Sequence, residues 1–291
     1  MNRMRRLAAL AAFIVTTTLM GLPVGAQPFG DTDVPFVITP DNVTLEMLKL
    51  AKVGPKDYVI DLGSGDGRIV ILAARRFGAR GLGVEIMPDL VRLSNANARA
   101  AGVADRATFR EQDLFKTDLT AATVITMYLL PEVNLQLRPA LLGLKPGTRL
   151  VSHDWDMGDW PPDQTITVPA PDKPIGREKF GRLHLWVVPA QVEGLWCGAA
   201  GLRSFSIELT QRFQSFQGTL HRRVGGQIGE QAQARDLAGR ITGPVLQATN
   251  DSAALLTIKL EGDALRITGA DSSLSALRGL SLRRAADGRC N

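Results

Sequence analysis

Gly63, Gly65 and Gly67 recur at alternate positions in Val59-Ile60-Asp61-Leu62-Gly63-Ser64-Gly65-Asp66-Gly67-Arg68-Ile69, just after the acid Asp61. A short apolar run precedes them and an amphipathic run follows, which predicts a buried strand, a turn and a helix. Glycines in such a turn let the backbone take φ > 0 and let a ligand lie against bare main chain. Dinucleotide binders space their glycines Gly-x-Gly-x-x-Gly, and a pyrophosphate would be repelled by Asp61 and Asp66. A ligand carrying a cationic sulfonium and an α-amino group suits those acids better. The spacing therefore points to S-adenosylmethionine (SAM), with Asp61, Gly63, Ser64, Gly65 and Gly67 as contacts. The bland alternative is a strand-to-helix turn whose glycines serve packing alone.

Two more acids stand where the same ligand would need them. Gly81-Leu82-Gly83-Val84-Glu85 reads as a second strand, ending in an acid about 20 residues past the loop, where a carboxylate accepts hydrogen bonds from ribose hydroxyls. The stretch from Ala107 to Phe115 holds a third strand, with Asp113 just past its end and placed to meet an adenine amino group.

The loop Asp61 to Gly67, the pair Val84-Glu85 and the trio Gln112-Asp113-Leu114 make the chain resemble the class I SAM-dependent methyltransferases over Pro35 to Pro189. More narrowly, Asp61 to Ile71, Tyr128-Leu129-Leu130-Pro131 and Asp156 to Trp160 are similar to a subgroup of small protein-lysine methyltransferases. That subgroup includes the mitochondrial enzymes that modify the adenine nucleotide translocase and a component of the ATP synthase, and it is distantly similar to one class of histone methyltransferases. The resemblance implies SAM as cofactor and a protein substrate, with lysine as the first choice of acceptor. The strand-four segment is Met127-Tyr128-Leu129-Leu130-Pro131, not the Asn/Asp-Pro-Pro-Tyr of nitrogen-directed nucleic-acid enzymes, which speaks against a DNA or RNA base.

Methyl transfer from a sulfonium is an in-line displacement with a good leaving group, so a protein supplies mainly alignment and exclusion of water. A lysine acceptor must first lose a proton, which nearby carboxylates oppose and aromatic or carbonyl walls allow. Tyr128, at the end of the fourth strand, is the expected wall. Glu132 could guide a cationic acceptor and Asn134 could hydrogen-bond it; capping and dipole compensation at a helix start also account for both. His153 is a candidate base or a structural histidine. Asp156 and Trp160 are candidate walls of the acceptor cleft. No grouping of histidines and acids has the spacing of a metal site.

These residues need a frame to hold them. Beyond the first three strands, further ones are expected at Thr123 to Tyr128, Arg149 to His153, Thr165 to Val168 and Leu183 to Val188. Helices are expected over Arg68 to Phe77, Pro88 to Ala101 (with Leu90, Leu93 and Ala101 inward) and Glu132 to Leu144. Thr39 is the expected cap of a helix from Pro40 to Ala51, a segment that either covers the cofactor as a lid, with Thr39 against it, or simply packs. The reading is an α/β fold: a doubly wound, mostly parallel, seven-stranded Rossmann-like sheet with an antiparallel edge. Past Pro189, short alternating runs separated by Gly225-Gly226, Asn250-Asp251 and Gly262-Asp263 predict a small antiparallel β domain, sandwich or barrel, with a binding or a purely structural role.

The chain has 291 residues, 45% hydrophobic, with a formal charge of +5. Three of the positive charges, Arg3, Arg5 and Arg6, lie before Ala26 in a stretch without acids, so the remainder is only mildly basic and gives no case for a nucleic-acid partner. That stretch reads as a secretory signal: a basic start, an apolar run from Leu7 to Met20, and Val24-Gly25-Ala26 as a cleavage site. The expected division is 1–26 signal peptide, 27–189 methyltransferase domain and 190–291 β-rich domain. The expected location is the bacterial periplasm without stable membrane insertion, the alternative being an uncleaved N-terminal anchor. Cys197 and Cys290 bracket the last segment and could bridge in an oxidising compartment, or stay unpaired. Export leaves a non-catalytic envelope binding protein on the same fold as the main rival, and a nicotinamide oxidoreductase as a remote one.

Overall fold

The glycine loop sits at the carboxyl end of a central strand because the apolar run before it is buried on both faces. In the computed structural model, which describes residues 37–173, 178–224, 233–250 and 253–290, this strand is β1 (Tyr58–Leu62) and Val59, Ile60, Asp61 and Leu62 are all buried. The expected signal peptide, 1–26, lies outside the described residues.

Around it the chain alternates: α1 (Asp41–Leu50) precedes β1, then α2 (Arg68–Phe77), β2 (Arg80–Glu85), α3 (Pro88–Ala100), β3 (Ala107–Glu111), β4 (Val124–Met127), α4 (Pro131–Leu142), β5 (Arg149–His153), β6 (Gln164–Pro169) and β7 (Phe180–Val187). The seven strands form one sheet in the order β3-β2-β1-β4-β5-β7-β6. β1 to β5 are parallel and β7 runs antiparallel to both its neighbours. Strand order reverses between β1 and β4, and α/β sheets bind ligands in the crevice at that switch, outside the carboxyl ends.

Several local expectations shift. α1 turns Val43, Met47 and Leu48 into the core, with Ala51 just past its end also buried. Thr39 does not cap it: Pro40 is the flanking residue, its backbone extended at φ −56° and ψ 147°, and no side chain caps the end. On α3 the inward residues are Ser94 and Ala98, while Leu93 is 45% exposed. Small residues win there because the loop runs close beneath the helix: a Cβ at Gly67 would lie 2.8 Å from that of Ser94. The third strand ends at Glu111, and Asp113 just past it accepts a hydrogen bond from Phe115 N and starts a 3₁₀ turn, Leu114–Lys116. α4 stops at Leu142, with Gly143 as its cap.

The C-terminal part is a closed, eight-stranded up-and-down barrel: β8 (Gly194–Ala200), β9 (Arg203–Arg212), β10 (Ser215–Val224), β11 (Gln233–Thr242), β12 (Val245–Asn250), β13 (Ala253–Glu261), β14 (Ala264–Ala270) and β15 (Ser281–Arg284), each paired with the next and β15 with β8. Closure leaves no open sheet edge. Trp196, Ile207, Leu209, Phe216, Leu246 and Ile258 fill its interior. Cys197 and Cys290 are bridged, with Cα atoms 5.6 Å apart, tying the chain end to β8.

The barrel meets the sheet through its β9–β10 and β11–β12 turns. Phe213 stacks on Trp160, ring centroids 6.0 Å apart, Gln214 Nε2 donates to the Pro161 carbonyl at 2.6 Å, and Ala190 N donates to the Gly243 carbonyl at 2.8 Å. Arg240 pairs with Asp163 and Arg212 with Asp159. Trp160, expected in an acceptor cleft, is instead fully buried in this junction against Trp186 and Phe213; its bulk is used for packing.

Candidate active site

The loop after β1 takes its shape from three left-handed glycines: φ is +72° at Gly63, +53° at Gly65 and +84° at Gly67, the last flanking α2. A side chain at Gly67 would also collide with the Phe109 ring, 2.6 Å away. Gly63 N and Ser64 N both donate to the Val84 carbonyl at 3.0 Å, which locks the loop to β2. Asp66 is pinned by Arg68, whose Nη2 lies 2.6 Å from Oδ2. The same guanidinium donates to the Thr39 carbonyl at 2.9 Å, so the segment before α1 is tied to the loop.

Asp61 is buried beneath this loop, and Thr126 Oγ1 donates to it at 2.7 Å. Burial pushes its carboxyl up to about 8 despite that bond, and the charges of Glu85 and Asp66 add to the rise. Glu85 is also buried. Its Oε2 accepts from Gly65 N at 3.0 Å, and its Oε1 from Ile86 N at 2.8 Å and Met87 N at 3.1 Å. A carboxylate has roughly four acceptor positions, so Glu85 holds the loop to the β2–α3 turn first and has little capacity left for ribose. Asp113 is partly exposed beyond β3, with Lys116 Nζ 3.3 Å from its Oδ2. Beside these acids Ile86, Met87 and Phe115 stay exposed at the ends of β2 and β3, apolar surface suited to a purine face. Sequence reading passes over all three; the signal is their place directly after Glu85 and Asp113.

Across the switch, Tyr128 follows β4, half-buried. Its ring centroid is 4.0 Å from that of His153, and its hydroxyl donates to Asp154 Oδ2 at 3.2 Å. Burial raises the phenol above its ordinary range and the Asp154 charge adds to this, so Tyr128 is a neutral wall. Asp154 sits at φ +64°, in the left-handed region. Lys173 Nζ is 2.7 Å from its Oδ2, and Arg182 N donates to its Oδ1 at 3.1 Å. Burial pushes the Asp154 carboxyl up, but the hydrogen bonds from Lys173 and from the Arg182 backbone N–H, with the charge of Lys173, outweigh it and hold the group below its usual value. Neither Asp154 nor Lys173 stands out in the sequence as part of the site.

His153 is fully buried. Its Nδ1 lies 3.5 Å from Thr39 Oγ1, and its Nε2 has no hydrogen-bond partner. Burial lowers its pKa to about 4, so it is neutral and sealed rather than a base at neutral pH. Thr39 thus faces a histidine; it is 4% exposed. Asn134 is fully buried too: Nδ2 donates to Ser152 Oγ at 3.2 Å and to the carbonyls of Trp155 and Asp156 at 3.3 and 3.2 Å. It fastens the segment after β5 to α4. Glu132 stands exposed in the first turn of α4, and Asp156 and Trp155 are exposed at the same edge. Among the described residues no cluster could hold a metal ion.

A family profile described as the ANTKMT methyltransferase domain matches residues 61–164, from the end of β1 through β5. A protein-lysine N-methyltransferase of Saccharolobus islandicus (strain REY15A) is 46% identical over 137 residues, 46% of this chain and 85% of the relative. The chain belongs to the protein-lysine N-methyltransferase family. The mouse adenine nucleotide translocase lysine N-methyltransferase is 35% identical over 131 residues, 44% of this chain; the chain spans 56% of that relative's length. Among solved structures, an RNA methyltransferase from Salinibacter ruber in complex with S-adenosyl-L-homocysteine shows 50% sequence identity over 54% of this chain and 96% of that one, with a TM-score of 0.49.

This methyltransferase uses SAM, and the residues at the switch fit it. Asp61, Asp66 and Glu85 gather three carboxyl groups, of which only Asp66 has a basic partner among the described residues. Ser64 Oγ is buried there without a hydrogen-bond partner. A cation with further polar groups, laid over the glycine loop, would balance that charge. The barrel lies outside the matched span.

Proposed function

We propose that this methyltransferase modifies a lysine ε-amino group of a protein, and that it works in an oxidising compartment after export. The acid-rich glycine cradle facing Tyr128 across the sheet switch carries the reading. SAM, when bound, supplies an electrophilic methyl group on a sulfonium. Asp61 and the Gly63–Gly67 main chain hold the charged end, while Glu85 and Asp113 stand beside the nucleoside positions. Tyr128 offers the acceptor an uncharged aromatic wall. Asp154, the nearest acid to it, is already balanced by Lys173, so it does not hold an incoming amine as ammonium. Exposed Glu132 and Asp156 can draw a cationic side chain from solvent toward that wall. The relatives named for protein lysines support the acceptor. The apolar start with Arg3, Arg5 and Arg6 and the Cys197–Cys290 bridge support export.

The test is a transfer assay with SAM labelled in its methyl group, the full chain, and separate envelope-protein and RNA fractions. Label should enter protein, and peptide mass spectrometry should place it on lysine. Label in RNA alone, or on a non-lysine residue, would overturn the reading. A mature N-terminus at Gln27 in secreted material would support export; a reduced Cys197 in material from cells would count against it.

A further inference from the structure

The end of the barrel away from the sheet carries features that methyl transfer does not use. Ser215 pairs with Arg212 at the sheet-facing end and Val224 with Arg203 at the other, so the two ends are roughly 30 Å apart along β10. At the far mouth, three adjacent strands each place one arginine on the inward register. Arg203 is two residues before buried Phe205; Arg222 pairs with Phe205 and Gln233; Arg235 pairs with buried Leu220 and is two residues before buried Leu237. Residues directly opposite in a ladder, or two apart on a strand, share a face.

These guanidiniums surround a cup of about 370 Å³ whose floor is Phe205, Leu220 and Leu277. Below that floor the barrel is filled by Ile207, Leu209, Phe216 and their neighbours, so the cup is closed at its base and does not run through the barrel. Arg235 Nη1 donates to Ser273 Oγ at 2.7 Å, which in turn donates to Asp271. Arg203 and Arg222 have no carboxylate partner among the described residues. Arg203 is exposed and Arg222 and Arg235 are half-buried, so the rim offers solvent-accessible positive charge directly above apolar side chains, a pairing that suits an anion with its own apolar body. Barrel mouths commonly hold such ligands, in pockets of about 300–1,000 Å³.

We propose that the barrel mouth binds a small amphipathic carboxylate of the medium-chain fatty-acid type, its head on Arg203, Arg222 and Arg235 and its chain on Phe205, Leu220 and Leu277. This site is independent of the methyl-transfer reading. Calorimetric titration of the full chain with decanoate should give saturable binding that weakens as ionic strength rises. Decanol, with the same tail, and inorganic phosphate, with charge alone, should each bind about tenfold more weakly or worse. The R203Q/R222Q double variant should lose about tenfold or more in decanoate affinity, with its thermal midpoint and SAM binding unchanged. No binding at millimolar decanoate would overturn the proposal. So would equal affinity for decanol or phosphate, or full affinity in the double variant.

Discussion

Asp61 connects a sequence motif to a measurable proton. Its carboxyl is held near 8 by burial with Thr126 opposing, so it is mostly protonated at neutral pH. A bound cation favours the carboxylate, and binding must then expel that proton. SAM affinity should therefore rise with pH toward about 8 and level off above it, by at most about tenfold per unit. Asp61→Asn should bind more weakly and lose that part of the pH dependence; titrating both proteins over the same range cancels the ligand's own ionisation. Gly65→Val forces a branched side chain to φ +53° in the loop itself. Calorimetry should show no SAM binding in that variant while circular dichroism stays that of the folded protein. Normal binding would remove the loop from the site.

At the level of elements, the end of β5 meets the β6–β7 connection in a cluster of titratable groups, His153, Asp154 and Lys173. Folding keeps His153 neutral to about 4, with Asp154 and Lys173 beside it, whereas the unfolded chain protonates it near 6.5. A depressed folded-state value means this stability is complete above about 6.5 and is lost as pH falls toward 4. His153→Asn should flatten the thermal midpoint over that window, measured against the parent. Lys173→Met strands the Asp154 carboxylate, 16% exposed, and should cost about 3–5 kcal/mol in urea unfolding, with D154N/K173M recovering much of it. Nothing in the sequence marks this pair. Lys173 lies in a Pro- and charge-rich connection, and an aspartate in the left-handed region looks like any other aspartate. Backbone-driven features are readable: the glycine loop, the strand endings at Glu85 and His153, and the alternation that makes a doubly wound sheet. β11 escapes sequence reading because its inward positions are Arg235, Leu237, Gly239 and Ile241, too few of them large and apolar to form a clear alternation.

For the molecule as a whole, sheet and barrel share Trp160. Trp160→Ala should destabilise by about 3–5 kcal/mol and loosen the barrel from the segment that Asn134 fastens. Limited proteolysis should then cut between Val187 and Gly194, where the intact protein resists. Cys197→Ser/Cys290→Ser should lower unfolding free energy by about 5 kcal/mol in the chain-entropy picture, read as a lower urea midpoint that reductant reproduces in the parent protein. The two sulfurs stand 93 residues apart, so one covalent latch spans nearly every strand of the barrel. Newly made chain in a reducing environment can assemble the methyl-donor cradle while the latch is still open. Under the proposed export, the cradle and the latch would then be completed at separate moments, and the thiol count of a sample would date how far its maturation has gone.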